Sequence, residues 1–93
     1  MGLKVISYDL GQQETASSYK ELIDYIKGLS GSWCKPLESF WIVDTEQECS
    51  TIRDGAKPYL DDNDKIFVFS CPFASWASIG LDKVVAEWLR ARM

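Results

Sequence analysis

The 93-residue chain has room for a single domain, and 46% hydrophobic with 13% aromatic residues supplies the apolar surface of a packed core, which excludes a disordered chain. Ten Lys and Arg against fourteen Asp and Glu leave a net charge of −4, so phosphate backbones and anionic membranes repel the chain at long range and any nucleic-acid contact must come from a local basic patch or a bridging metal. There is no histidine, which removes Ser-His-Asp and Cys-His nucleophile pairs, histidine acid–base catalysis and His-containing zinc sites.

The opening residues, Met1 to Ile6, carry too short an apolar run for a signal peptide. No stretch approaches the ~20 apolar residues that span a bilayer, so no membrane partner is expected. Cys34, Cys49 and Cys71 are odd in number and far apart, and they read as reduced thiols of a cytoplasmic protein.

Leu3 to Leu10 reads as a central strand. Leu3, Val5 and Ser7 share one face, while Ile6, Tyr8 and Leu10 share the other, and both faces are largely apolar. A helix follows, with Ser17 or Ser18 capping its start and Glu21 completing a capping box. Its apolar stripe is Tyr19, Leu22, Ile23, Ile26 and Leu29, and Gly28 and Gly31 mark its end. Trp33 to Leu37 contains Pro36, which cannot donate to a ladder, so this segment is a short edge strand at best. Glu38-Ser39 then turns the chain into a better strand, Phe40 to Val43.

Thr45-Glu46-Gln47-Glu48 reads as a second capping box, opening a helix on Cys49, Ile52, Ala56, Tyr59 and Leu60. Gly55 weakens that helix and Pro58 kinks or ends it. Asp61-Asp62-Asn63-Asp64 is a turn; it lacks the glycine and distal Glu of an EF-hand loop. Lys65 to Cys71 is a strand with Ile66 and Val68 on one face and Phe67 and Phe69 on the other. Pro72 to Ala77 is irregular, and its Phe73 and Trp76 pack down. A last helix carries Leu81, Val84, Val85, Trp88 and Leu89 as its stripe, with Arg90 and Arg92 at its C-terminal end.

The order β, α, β, β, α, β, α predicts an α+β domain. The expected form is a ferredoxin-like β-α-β-β-α-β sheet with helices on one face and an added C-terminal helix. A thioredoxin-like layout is the alternative. The uncovered face, with Tyr8, Phe67, Phe69 or Trp41 on it, is expected to pair with a second copy.

No Walker loop or G-x-G-x-x-G is present to cradle phosphates, so carboxylate chemistry, thiol chemistry or no chemistry remains. Asp9 ends the first strand. It is either a turn-starting carboxylate before Gly11 or, facing a second copy, a ligand for Mg²⁺ or Mn²⁺. Trp33-Cys34-Lys35-Pro36-Leu37 resembles the thioredoxin Trp-Cys-x-Pro-Cys motif with Leu37 in place of the second Cys. It precedes a strand instead of a helix, so Cys34 is expected to be an ordinary thiol near the unperturbed ~8.5. Trp76 and Trp88 offer faces for bases, although Trp88 sits on the apolar stripe. Lys4, Lys35, Lys65 and Lys83 form no basic patch local in sequence.

Val5-Ile6-Ser7-Tyr8-Asp9-Leu10 resembles the opening strand of the CRISPR-associated Cas2 family, which ends in Tyr-Asp, and Glu38-Ser39-Phe40-Trp41 is similar to its Ser-centred segment. The chain looks most like short Cas2-like proteins of the SinR-like branch, related to VapD, over most of its length. That resemblance implies a homodimer acting on RNA or DNA, with Asp9 and Ser39 catalytic and Asp9 holding a divalent metal at the dimer interface. The acidic charge and the missing site arginines depart from Cas2. Three readings follow: a metal-dependent nuclease or nucleic-acid-binding dimer, a non-catalytic protein-interaction dimer, and a thiol enzyme resting on Cys34.

Overall fold

The structure is a computed structural model that describes residues 2–11, 16–71 and 76–92. Its elements run β1 (Leu3–Asp9), α1 (Ala16–Gly28), β2 (Trp33–Leu37), β3 (Phe40–Asp44), α2 (Cys49–Ala56), a 3₁₀ turn (Lys57–Tyr59), β4 (Lys65–Ser70) and α3 (Lys83–Arg92). The four strands form an antiparallel sheet in the order β2-β3-β1-β4. β1 is central because both of its faces are apolar enough to be covered, and Pro36 sits in the edge strand β2, where a missing donor costs no ladder bond. None of the described helices is long and apolar enough to cross a membrane.

The first face is built from Ile6, Tyr8, Trp41 and Val43, covered by Leu22 and Ile26 of α1 and Ile52 and Ala56 of α2. Inside it the Trp41 indole N–H donates to the Tyr8 hydroxyl at 3.0 Å. That bond satisfies the two polar atoms these large rings carry into the core. Burial pushes the Tyr8 hydroxyl up to about 12, so it stays protonated. α2 packs close to α1 because Gly55 has no side chain. A Cβ there would collide with the Tyr25 hydroxyl, which donates to the Ile52 carbonyl at 2.9 Å. The residue that weakens the helix by propensity is thus what allows the two helices to meet. Pro58 ends α2 as expected, and the chain leaves through the 3₁₀ turn.

The opposite face differs from the expectation of an open surface. Val5, Cys34 and Ile42 on that face are covered by Leu89, with Trp76, Leu81, Val85 and Trp88 packed around them. α3 therefore lies across the sheet from α1 and α2. The reason is simple: its apolar stripe must be buried, and the first face is already full. The helix is fixed at its C-terminal end, where the Trp88 indole N–H donates to Ser32 Oγ at 3.2 Å and Arg92 donates to the same oxygen. Arg92 also stands 3.5 Å from Asp44 Oδ2 and covers the Trp88 ring at 4.0 Å.

Three further expectations need correction. Tyr8 and Trp41 lie beneath α1 and α2, and Phe69 packs beside α3, so of the four residues expected on an open face only Phe67 is exposed, at 67%. Val84 is off the buried stripe, 76% exposed. Thr45 does not cap α2: its hydroxyl accepts the Gln47 N–H at 3.2 Å, and the helix begins only after Glu48, whose side chain makes no cap bond. Thr45 is instead held by β1, its N–H donating to the Gly2 carbonyl at 2.8 Å. The side chains of Ser17 and Ser18, and Phe73 entirely, lie outside the described residues.

Candidate functional site

The end of the sheet where β1 stops brings the two expected site residues together. Asp9 is exposed at the last position of β1. Ser39 forms the β2–β3 turn with φ of 55°, a left-handed conformation in a residue that tolerates it poorly, and its carbonyl accepts the Tyr8 N–H at 3.1 Å. The hydrogen bond places the Ser39 turn next to the residue that precedes Asp9. Its visible duty is to close the hairpin against β1.

Register decides what surrounds Asp9. Ser7 pairs with Phe40 on one side and Phe67 on the other, and Phe40 pairs with Leu37. Directly paired residues point to the same face, so Leu37, Phe40, Ser7 and Phe67 form one row across the whole sheet. This row belongs to the second face next to the Val5–Ile42 row that Leu89 covers; Phe40 packs against that core, while the ends of the row, Leu37 and Phe67, are exposed. Asp9 stands next along β1 on the same face, and its cross-strand partner is Lys65, also exposed. Side chains so paired have Cβ atoms about 5 Å apart.

Among the described residues Asp9 is not part of any cluster of carboxylates. The acidic turn reaches the same end of the sheet, but Asp64 is committed to structure. Its Oδ1 accepts the Gly11 N–H and its Oδ2 the Asp61 N–H, each at 2.7 Å. Among the described residues no three Cys, Asp or Glu gather closely enough to hold a metal ion. A divalent cation of this class wants six or more oxygens, largely carboxylate and water. One carboxylate facing an ammonium does not fit that requirement, so the described residues around Asp9 do not by themselves make a Mg²⁺ or Mn²⁺ site.

The hollow lined by Ser7, Tyr8, Asp9, Lys65, Ile66 and Phe67 holds about 180 Å³. That is below the ~300–1,000 Å³ of small-molecule pockets, and it suits a macromolecular contact better than an enclosed substrate. A wider groove of about 380 Å³ runs along β4 beside Cys49, Ser50 and Arg53. Its one charge, Arg53, is already paired with Asp54 at 3.0 Å.

A second grouping was not visible in the sequence. Trp33 and Trp41 pack with ring centroids 5.1 Å apart, and Lys27 lies 5.2 Å from the Trp33 ring while Lys35 lies 5.6 Å from Trp41. The only sequence signal is that Trp33 and Lys35 share a strand face; Lys27 arrives from the end of α1. Trp76 and Trp88, considered above for base stacking, instead pack around the second face, Trp88 under Arg92.

Cys34 is 5% exposed in the second-face core, and burial pushes its thiol up to about 11. This corrects the expected unperturbed value and strengthens the conclusion drawn from it, because a protonated, inaccessible thiol is no nucleophile. A stability prediction follows. In the unfolded chain Cys34 ionises near 9, and in the fold it keeps its proton to about 11. Between those values the folded state binds more protons, so stability falls as pH rises. The contribution is intact below pH ~9, lost by pH ~11, and on the order of 2 kcal/mol in size. Denaturant titrations at pH 8 and pH 11 should show that drop together with the losses from Tyr8 and Cys71, whose values burial also raises, and Cys34→Ala should make it shallower. An equal pH slope in the variant would show that Cys34 is not its source. Cys34→Ser, by contrast, places a hydroxyl in an apolar core and should cost ~1–2 kcal/mol.

Compared with known protein families the chain matches none, and no curated protein is similar enough to stand as a relative.

Proposed function

We propose that this chain is a ferredoxin-like module of the Cas2 kind that works as a homodimer and engages nucleic acid in the cytoplasm. The element order and the β2-β3-β1-β4 antiparallel sheet support the fold assignment. The observation that carries the functional reading is the position of Asp9, exposed beside an uncovered apolar row on one face of the sheet. Covering that row with a second copy sets both Asp9 residues, and both Ser39 turns, at the edge of one shared surface. Lys27, over the half-buried Trp33 ring, supplies a local cation of the kind an acidic protein needs to hold a polyanion, and Lys35 nearby is shared with Glu38 at 3.5 Å.

The second reading is a protein-interaction dimer of the same fold without catalysis. It is favoured by the net charge of −4 and by the lysine standing opposite Asp9.

The test incubates wild type and Asp9→Asn with labelled RNA and DNA, in Mg²⁺, in Mn²⁺ or in chelator. Wild type should retain at least one substrate class in a gel shift, with an affinity that falls steeply as salt rises. Metal-dependent cleavage lost in Asp9→Asn would assign the chemistry to Asp9. Absence of both binding and cleavage with every substrate would overturn the nucleic-acid reading and leave the interaction module. Because Asp9 is exposed at a strand end, the substitution should change stability by no more than ~1 kcal/mol.

A further inference from the structure

Asp9 and Lys65 are paired in register, both are exposed, and both border the Ser7–Phe67 end of the row, where Phe67 is exposed. A face carrying one acid and one base side by side is self-complementary under only some two-fold axes. An axis running across the strands sets Asp9 on Asp9 of the partner and Lys65 on Lys65 of the partner, two like-charge contacts. An axis running along the strands, between β1 and β4, sets each Asp9 on Lys65 of the partner.

Charge selects the second axis, since like charges brought together across an interface are strongly disfavoured. Sterics agree. α3 is fastened toward the β2 side, through Trp88 and Arg92 on Ser32 and Arg92 on Asp44. An axis between β1 and β4 therefore leaves the two α3 helices beside each other instead of on top of each other. Phe67, which lies next to this axis, is then buried against the partner's Ser7 and the partner's Phe67, while Phe40 and Leu37, on β3 and β2, fall outside the overlap.

From this geometry we infer that the second copy docks with Asp9 of each subunit against Lys65 of the other, a closed ring of four alternating charges that joins the dimer without a metal ion. The inference rests on the homodimer proposed above and departs from the bridging metal that the Cas2 resemblance implies. Lys65 supplies the positive charge that a cation would otherwise bring to the paired carboxylates.

The two arrangements give opposite signs for one substitution. Lys65→Glu puts four carboxylates at the junction. Under the charge ring it weakens the dimer by roughly 100-fold or more, with Lys65→Gln milder, whereas a metal-bridged junction gains ligands and tightens in Mn²⁺. Asp9→Lys should dissociate the dimer likewise, and the double exchange Asp9→Lys with Lys65→Asp should restore it to within roughly tenfold of wild type.

Sedimentation of the wild type, both single reversals, Lys65→Gln and the double exchange, in chelator and in Mn²⁺, reads these outcomes. Circular dichroism confirms that each variant is folded. The expected pattern is a chelator-resistant wild-type dimer, two monomeric reversals and a rescued double exchange. Reversals without effect on a dimeric wild type overturn the ring while the homodimer stands. So does a double exchange that fails to rescue, or a Lys65→Glu dimer that forms in Mn²⁺. A wild type monomeric throughout overturns both the ring and the homodimer.

Discussion

Phe67→Glu should convert the homodimer proposed above into a folded monomer. Phe67 is the most exposed member of the apolar row, at 67%, and it leans on Phe69 with ring centroids 5.1 Å apart. In the monomer the substitution touches little that is buried, so thermal stability should move by less than ~1 kcal/mol. In the dimer each copy loses a buried aromatic ring and gains a desolvated carboxylate near the partner's Asp9. The loss of apolar burial alone is worth about 3–4 kcal/mol per dimer, roughly 10²–10³-fold in Kd. Size-exclusion chromatography with light scattering reads the result directly. A variant that stays dimeric would move the interface away from this row, and a variant that unfolds would show that Phe67 serves the monomer's core.

Trp41→Ala should produce the largest loss of stability. Trp41 is 2% exposed, packs at a tilt against Trp33, donates to the Tyr8 hydroxyl and has the ammonium groups of Lys27 and Lys35 near its ring. Removing it leaves a cavity between β3, β1 and the helices and takes from the buried Tyr8 hydroxyl its indole donor. The combined cost is about 4–5 kcal/mol, a large share of the ~5–15 kcal/mol that holds a domain folded. Trp41→Phe keeps most of the volume and separates the two causes: it should cost ~1–3 kcal/mol, mainly from the Tyr8 hydroxyl left without its donor. Chemical denaturation measures both. A cost below ~2 kcal/mol for Trp41→Ala would show that the site collapses around the missing ring.

Much of the local structure was legible because each signal is local. The alternation of Ile66 and Val68 against Phe67 and Phe69 defined β4, and the Tyr19 to Leu29 stripe defined α1. Pro36 on an edge strand and Pro58 at the end of α2 followed from the missing N–H. The capping box at Thr45 misled because the same Thr hydroxyl closes a tight turn two residues on, a competing use of one side chain.

What could not be read is set by contacts distant in sequence. The stripe of α3 announces a helix that must be covered, but not which face it covers; that is decided by α1 and α2 having filled the first. Asp9 was identifiable as a strand-end carboxylate. Its neighbour Lys65 was not, because only the β1–β4 register brings residues so far apart in sequence into a pair. The same register created the row of Leu37, Phe40 and Phe67, three residues from three strands of which the outer two are exposed while Phe40 packs on the second-face core.

The homodimer proposed above buries the exposed Phe67 end of the row, beside Asp9 and Lys65, against a second copy of the chain. Sedimentation equilibrium of the wild-type protein, over a dilution series from hundreds of micromolar downward at low salt, tests it most directly. The expected result is a mass near two chains at micromolar concentration, falling to one chain only on strong dilution and more readily as salt screens the charges at Asp9 and Lys65. A mass of one chain at every concentration, up to the highest reached, would contradict it.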